Sequence, residues 1–161
     1  MAKKAQGTPA TVVLTREKVP FTTHPYDVDP KTSGYGEAVA AALGLEPARV
    51  FKTLIATVDG QLGVGVVPVA RTLDLKALAA ALGGKRAAMA EPAAAERATG
   101  YVTGGISPLG QRSRLPLVLD DSALAFETIF VSAGKRGLQL ELSPADLVHL
   151  TGAAVAAIAT G

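Results

Sequence analysis

The chain has 161 residues, of which 48% are apolar, enough for one folded domain with a substantial core. Its formal net charge of +2 does not indicate a strongly basic nucleic-acid-binding protein, and the absence of cysteine excludes disulfides, thiolate metal sites and a cysteine nucleophile. No apolar run reaches the roughly 18 residues of a membrane span, and no apolar segment follows the N-terminal lysines as in a signal peptide. The sequence therefore predicts a cytoplasmic protein without membrane contact.

Local signals divide the chain into helices and strands that follow a short basic tail, residues 1–7. Thr8 can cap a helix and Pro9 suits its first position, so the sequence predicts a helix that ends near residue 19. The β-branched and aromatic segment FTTHPY at 21–26 predicts a strand, and its proline favours the edge or end of a sheet.

The middle of the chain predicts a hairpin among three helices. FKTLIATV at 51–58 is apolar on both faces, which favours a central strand, and Asp59-Gly60 is typical of a type I′ turn into its partner. Asp74 can cap a later helix. The predicted elements here are a loop at 27–34, a helix at 35–43, a helical turn at 46–49, strands at 51–58 and 62–67, a helix at 75–82, a strand at 86–90 and a helix at 92–99.

The last third of the chain predicts mostly strands. Strands outnumber helices along the whole sequence, and tight turns join several pairs, which favours an α+β domain with a curved, mostly antiparallel sheet flanked by helices. The predicted elements after residue 116 are a strand at 117–119, a helical turn at 122–125, strands at 127–132 and 138–142, a helix at 143–150 and a last strand at 153–158.

The segment YVTGGISPLGQRSRLP, residues 101–116, is the strongest candidate for a functional loop. Gly104 and Gly105 permit positive φ and let a ligand approach the backbone, and Pro108 restricts Ser107 to extended geometry. Such a loop can point several N–H groups at an oxygen anion, although an ordinary turn is the commoner explanation of a lone Gly-Gly.

Lys52 is an anomaly in a predicted strand that is otherwise apolar on both faces. Its side chain either reaches solvent along its stem or faces a polar cavity, and the sequence leaves both open. His24 and His149 are expected to be surface or packing residues, so neither a metal site nor a cofactor is predicted.

Three motifs, in this order, resemble the YbaK-type Cys-tRNA(Pro) deacylases of the prolyl-tRNA editing superfamily. They are FKTL at 51–54, TGYVTGGISPLGQRSRLP at 99–116 and VSAGKRGLQLEL at 131–142. The resemblance runs over about residues 12–158. It implies a single editing domain over residues 8–161, with a highly curved, barrel-like mixed sheet surrounded by helices.

The resemblance assigns roles to the lysine and to the glycine loop. Lys52 matches the active-site lysine and would bind the ester region or the terminal-adenosine oxygens of a substrate. The N–H groups of Gly104 and Gly105, or that of Ile106, would stabilise the carbonyl oxygen as it becomes negative. Ser107 has no G-x-S-x-G context and no histidine placed as its base, so it receives a positioning role.

Three residues outside these motifs join the predicted site. Tyr26 lies in HPYDVDP and would hydrogen-bond the aminoacyl group, although edge packing explains it equally well. Tyr35 would form a wall or stack on adenine. Asp146 follows Ser143 in a near capping box, and the resemblance also gives an aspartate here a role in the site, so both roles stay open.

The predicted site divides into three groups of residues. Basic pairs can contact phosphates without a large net charge, although solvated surface is their commoner role. Ala133 replaces the first glycine of the family motif V-S-G-G-K-R-G and would be strained if that position needs positive φ. The catalytic group is Lys52, Gly105, Tyr26 and Asp146, the substrate-binding group is Tyr35, Thr53, Gly104, Ile106, Ser107, Pro108 and Ser132, and the tRNA-binding group is Lys135, Arg136, Arg112 and Arg114.

The function that the resemblance implies is hydrolysis of cysteine mischarged on tRNA(Pro), in which the substrate's own thiol attacks its ester. The chain offers no evident nucleophile or strong base, which agrees with that mechanism. Two alternatives stay open: a sibling enzyme for Ala-tRNA(Pro) or another small aminoacyl-tRNA, and a non-catalytic module that binds an aminoacyl or nucleotide ligand or docks on a synthetase. The expected partners are tRNA(Pro) and prolyl-tRNA synthetase, and the expected state is a monomer.

Overall fold

A computed structural model describes residues 7–161. Residues 1–6 of the predicted basic tail therefore lie outside the described range. No helix in the described range is long and apolar enough to span a membrane. The helices are α1 Pro9–Arg16, α2 Tyr35–Ala42, α3 Leu75–Ala81, α4 Pro92–Thr99 and α5 Pro144–Thr151, with 3₁₀ turns at Pro47–Arg49 and Asp121–Ala125. The strands are β1 Thr22–Pro25, β2 Phe51–Val58, β3 Gln61–Pro68, β4 Thr72–Leu73, β5 Ala87–Met89, β6 Leu117–Asp120, β7 Ile129–Lys135, β8 Leu138–Leu142, β9 Ala154–Ala156 and β10 Ala159–Thr160.

Three helix ends lie where the local signals predict them, whereas α1 ends at Arg16 and not near residue 19. The Thr11 N–H donates to Thr8 Oγ1 at 3.2 Å at the start of α1, as expected for an N-cap. At the start of α3 the Ala77 N–H donates to the Asp74 carboxylate at 3.0 Å. Gly100 takes a φ of 81° at the end of α4, where a side chain would be strained.

The predicted mixed, mostly antiparallel architecture is confirmed. The larger sheet has the order β5-β2-β3-β6-β9, the second β1-β8-β7, and a third pairs β10 with β4. The β3–β6 and β6–β9 pairs are parallel, whereas the other pairs are antiparallel. A parallel bridge between Val50 and Phe130 brings the start of β2 to β7, so the two larger sheets enclose one core without closing a barrel within residues 7–161.

Strand β2 is paired on both sides and is buried on both faces, as its apolar sequence predicts. Phe51 and Ile55 pack in the core between the two larger sheets. Ala56 and Val58 point the other way and pack in a second core that includes Leu78 of α3. Lys52, Thr53 and Leu54, near the start of the strand, are only partly buried.

The structure differs from the sequence-based expectation at the end of β7. The strand continues through an irregularity after Ser132 and ends at Lys135, where a turn was expected to begin at residue 134. Gly134 takes a φ of 106°. Ala133 is not among the positive-φ residues of the described range, so replacement of the family's glycine causes no backbone strain there.

The predicted last strand at 153–158 is observed only as β9, and β10 follows it at Ala159–Thr160, where Asp120 binds the backbone. Asp120 is 1% exposed, and its carboxylate accepts hydrogen bonds from the N–H groups of Ile158 at 2.9 Å and Ala159 at 3.0 Å. Its other oxygen accepts from the hydroxyl of Ser122 at 2.5 Å. Burial alone would raise the pKa of Asp120, but these hydrogen bonds together lower it below the ordinary value of 3.8.

Replacing Asp120 with asparagine is expected to reduce the free energy of unfolding by about 1–3 kcal/mol, because the amide presents a donor where the carboxylate presents acceptors. The pKa of Asp120 is lower in the folded than in the unfolded chain, so its stabilisation is complete above the unfolded value and is lost as pH falls below it. Urea unfolding between pH 7 and pH 3 measures both effects. Asp121→Asn, an exposed neighbour, is the control, and equal stability of the two variants would contradict the expectation.

Candidate active site

A cleft of about 350 Å³ lies between α2, the start of β2 and the loop that follows α4. Its walls are mainly apolar, which is typical of a small-molecule site with a few polar groups that orient the ligand. The predicted site residues in its lining are Tyr35, Lys52, Thr53, Gly104, Ile106 and Ser132. The apolar side chains of the lining are Val39, Val50, Phe51, Leu54, Ile55, Val69, Met89, Ala90, Pro92, Ala95 and Ile106.

Lys52 carries the only charge among the described residues that line the cleft. Desolvation by this apolar surrounding lowers the pKa of Lys52, and the opposing effect of the Glu37 carboxylate on α2 is smaller. Lys52 therefore faces a cavity that is mostly apolar, where an ammonium interacts with a ligand's oxygen more strongly than it would in water.

Two polar atoms of the cleft wall have no hydrogen-bond partner among residues 7–161. They are Oγ1 of Thr53, beside Lys52 on β2, and Oε1 of Gln139 on β8. Gln139 is 6% exposed and pairs with Ser132 across the two strands. A buried polar atom left unsatisfied costs about 1–3 kcal/mol, so a hydrogen-bond partner would stabilise each of these two atoms.

Gln139 is a cleft residue that the sequence-based prediction missed. It lies between Leu138 and Leu140, both of which are buried in the core. A polar residue is ordinary on the opposite face of such a strand, because alternation normally places it in solvent. Only the packing of β8 behind the cleft shows that this face is also buried.

The loop requires glycine at its two positions for different structural reasons. Gly104 takes a φ of 90°, which favours glycine, and it lines the cleft. Gly105 is buried, and a side-chain carbon there would lie 2.9 Å from the backbone nitrogen of Arg136 and 3.0 Å from the carbonyl carbon of Lys135. The first glycine thus shapes the turn, whereas the second lets the loop pack against the β7–β8 turn.

The backbone donors of the loop are not equivalent. The N–H of Gly105 donates to the carbonyl of Val102 at 2.9 Å, so it closes the turn. The N–H groups of Gly104 and Ile106 make no backbone hydrogen bond within the described chain, and both residues line the cleft. These two groups are the donors of the loop that can receive an oxygen anion.

Tyr26 is not part of the cleft lining, but it contacts Tyr35, which is. The two hydroxyls lie 2.9 Å apart, and the rings are tilted by 60° with their centres 6.4 Å apart. The backbone N–H of Tyr26 donates to the carbonyl of Gly137 at 3.0 Å, which holds the backbone of Tyr26 beside the β7–β8 turn. Burial raises the pKa of Tyr35, and the hydrogen bond with Tyr26 raises it further, so the Tyr35 hydroxyl is neutral at physiological pH.

The other predicted site residues lie outside the cleft lining. Ser107 is fully buried, and its Oγ accepts from the Leu109 N–H at 3.2 Å, so it shapes the loop. The Asp146 N–H donates to Ser143 Oγ at 3.1 Å at the start of α5, which is the expected helix cap. Pro108 and Arg114 line a second cleft of about 200 Å³ between α1 and the end of α5.

The basic residues that were predicted to bind tRNA are all exposed. Lys135 and Arg136 lie at the β7–β8 turn, beside the glycine loop. Arg112 and Arg114 lie in the second half of that loop, and the Arg112 side chain approaches Gly100 at the end of α4.

Two proteins of known description share sequence with this chain, and a solved structure shares its fold. EbsC of Enterococcus faecalis, described as a candidate Cys-tRNA(Pro)/Cys-tRNA(Cys) deacylase, is 40% identical over 164 residues that include 99% of each chain. The multifunctional Ser/Thr-tRNA deacylase ProXp-y of Escherichia coli K12 is 31% identical over 122 residues, or 73% of each chain. The crystal structure of a candidate trans-editing enzyme for prolyl-tRNA synthetase has the same fold, with a TM-score of 0.81 at 24% identity over 96% of this chain and 99% of that one.

The family model of the aminoacyl-tRNA editing domain matches residues 29–150. The matched range contains the cleft lining described above, from Tyr35 on α2 to Gln139 on β8. This match, together with the sequence identity to EbsC over the whole length, shows that the chain belongs to the aminoacyl-tRNA editing domain family, the YbaK and prolyl-tRNA editing proteins.

Proposed function

We propose that this chain is an aminoacyl-tRNA deacylase that removes cysteine from mischarged Cys-tRNA(Pro). The observation that carries the proposal is that Lys52, Gly104 and Ile106 line one mainly apolar cavity, and that the N–H groups of the two loop residues make no backbone hydrogen bond within residues 7–161. The 40% identity to EbsC, whose name specifies cysteine as the amino acid, supports cysteine over other substrates. Residues 8–161 act as the single editing domain.

The substrate's ester would lie between the lysine and the loop. Gly104 and Ile106 donate to the carbonyl oxygen as it gains charge, and Lys52 binds the neighbouring ester or ribose oxygens. The unpartnered Gln139 Oε1 accepts from the α-amino group of the amino acid, and the Thr53 hydroxyl binds a second polar group nearby. The apolar wall then takes the side chain, and a volume of about 350 Å³ leaves space for part of the terminal adenosine.

The nucleophile in this proposal belongs to the substrate. The described residues of the cleft lining include no histidine, cysteine, aspartate or glutamate that could attack or act as a strong base. The cysteinyl sulfur attacks its own ester carbonyl, and the resulting tetrahedral oxyanion collapses by breaking the bond to the ribose oxygen. That oxygen takes the thiol proton, and water then opens the cyclic thioester. Proximity within one molecule contributes several kcal/mol to such a step.

Deacylation rates of Cys-, Ser-, Ala- and Pro-tRNA(Pro) test the proposal. Cys-tRNA(Pro) is expected to react far faster than Ser-tRNA(Pro), because a hydroxyl of the same shape is a much poorer nucleophile. Equal rates for the two would exclude the thiol mechanism. Preference for Ala-tRNA(Pro) would assign the chain to a sibling activity that uses water, and binding without hydrolysis would assign it to the non-catalytic class.

The tRNA itself would bind outside the cleft. The exposed Arg112, Arg114 and Lys135 are proposed to contact phosphates, in agreement with their exposure near the glycine loop. Because the net charge is only +2, a monomer of this chain would hold tRNA weakly, and we propose that prolyl-tRNA synthetase assists recognition.

Replacing Tyr35 with phenylalanine is expected to reduce kcat/KM for Cys-tRNA(Pro) about 3- to 10-fold, the value of one hydrogen bond of about 1 kcal/mol. The substitution keeps the ring in the cleft wall and removes the hydroxyl that contacts Tyr26. Tyr26→Phe tests the same bond from outside the cleft and should have the smaller effect, since the Tyr35 hydroxyl then remains. A larger loss for Tyr26→Phe would mean that Tyr26 touches the substrate itself.

A further inference from the structure

The residue that precedes Gly104 is held by charged side chains from two other elements. Thr103 donates to Glu96 Oε2 on α4 twice, from its N–H at 2.9 Å and from its hydroxyl at 3.0 Å. The Thr103 carbonyl accepts from Arg136 Nη2 of the β7–β8 turn at 2.5 Å. All polar groups of Thr103 are therefore engaged, and we call these three hydrogen bonds the Thr103 contacts.

The Thr103 contacts hold a part of the loop that apolar packing does not hold. Val102 is 53% exposed, and Thr103 and Gly104 are also exposed, so no buried side chain holds the loop between the buried Tyr101 and Gly105. Exposed loops of this kind are ordinarily mobile. Hydrogen bonds to ionised groups are about twice as strong as neutral ones, and here they come from both sides of the loop.

Arg136 is oriented toward the loop rather than toward solvent alone. Its Nε lies 2.7 Å from the point where a side-chain carbon of Gly104 would be, so the guanidinium covers the α-carbon of that glycine. The hydrogen bonds from Thr103 lower the pKa of Glu96, and the positive charge of Arg136 lowers it further, which agrees with the three residues forming one unit.

We propose that Arg136 and Glu96 are positioning residues, which hold Thr103 so that the N–H groups of Gly104 and Ile106 point into the cleft. The proposal deepens the proposed function and rests on it, because the carbonyl oxygen that these groups receive is that of the aminoacyl ester. It also gives Arg136 a different role from the phosphate contact that its sequence motif predicted.

Kinetics of single variants separate positioning from phosphate binding. Arg136→Ala is expected to lower kcat for Cys-tRNA(Pro) at least tenfold, with little change in KM or in its salt dependence. Arg136→Lys should recover part of kcat, because an ammonium can still donate to the Thr103 carbonyl. Arg97→Ala, an exposed arginine of α4, is the control and should leave kcat unchanged. A raised KM with a shallower salt dependence and an unchanged kcat in Arg136→Ala would overturn the proposal.

Hydrogen exchange of the free protein tests the same contacts without any tRNA. Arg136→Ala and Glu96→Ala should each accelerate amide exchange at residues 102–106, whereas Arg97→Ala should not. Unchanged exchange in the first two variants would overturn the proposal even for an active enzyme. If the wild type deacylates none of the tRNAs, the proposed function fails, while the exchange rates still decide whether Arg136 and Glu96 hold the loop.

Discussion

Replacing Lys52 with alanine is expected to lower the rate of Cys-tRNA(Pro) deacylation about 10²- to 10³-fold. A loss of this size follows the removal of one preorganised group that stabilises the oxyanion or the adjacent ester oxygens. Lys52 is the one charge in the described lining of the cleft, so no other side chain there can replace it. Single-turnover rates with saturating enzyme measure the effect on chemistry rather than on binding. Lys76→Ala, an exposed lysine of α3, is the control of matched composition.

The stability of the Lys52 variants distinguishes loss of chemistry from loss of fold. Burial lowers the pKa of Lys52 from its ordinary 10.5, so the unfolded chain binds the proton more tightly than the folded one. Folding therefore bears a desolvation cost below the folded pKa, and that cost disappears as pH rises through the two values. Lys52→Met should accordingly be at least as stable as the wild type at pH 7 in urea unfolding. If Lys52→Met is inactive and also less stable than the wild type, the loss of activity would not support a catalytic role for the Lys52 charge.

Replacing Gly105 with alanine is expected to lower kcat at least 100-fold and the free energy of unfolding by about 1–3 kcal/mol. The added carbon would lie 2.9–3.0 Å from backbone atoms of Lys135 and Arg136, which cannot rotate away as a side chain could. The loop must move instead, and with it the donors of Gly104 and Ile106. Deacylation kinetics below the unfolding temperature, together with urea unfolding, give the two effects separately.

Gly44→Ala is the matched control for Gly105→Ala. Gly44 has a φ of 69° at the end of α2 and has open space around it, so alanine there costs about 1–2 kcal/mol through backbone strain alone. It lies outside the cleft lining and should leave kcat unchanged. If both variants lose stability but neither loses activity, the position of the loop relative to the β7–β8 turn does not matter for catalysis.

Local chemistry explains why the elements were predictable. Caps at Thr8 and Asp74, glycines at helix ends and the Asp59-Gly60 turn act within a few residues of where they stand in the sequence, so their effects need no tertiary contact. Among the deviations, the break between β9 and β10 arises from contacts with a distant residue, whereas the greater length of β7 belongs to its hairpin with the neighbouring β8. Ile158, for example, is hydrogen-bonded to Asp120, 38 residues away.

The candidate site was only partly predictable because it combines residues from opposite ends of the chain. Motif resemblance pointed to Lys52 and the Gly104 loop, yet it could not separate Ile106, which lines the cleft, from Ser107, which is buried behind it. Adjacent residues in an extended loop face opposite ways, and only the packing of the loop decides which side is the cleft. Gln139 escaped prediction for the same reason.

The sequence by itself determined the elements, the alternation of buried faces and the family, since these depend on residue type and short spacing. Only the tertiary structure decided what the polar residues do. It directed Arg136 to Thr103, 33 residues away, and left Thr53 and Gln139 unpartnered in one cleft. Such roles depend on distances between side chains that are far apart in the chain, and those distances result from the packing of two sheets around a common core.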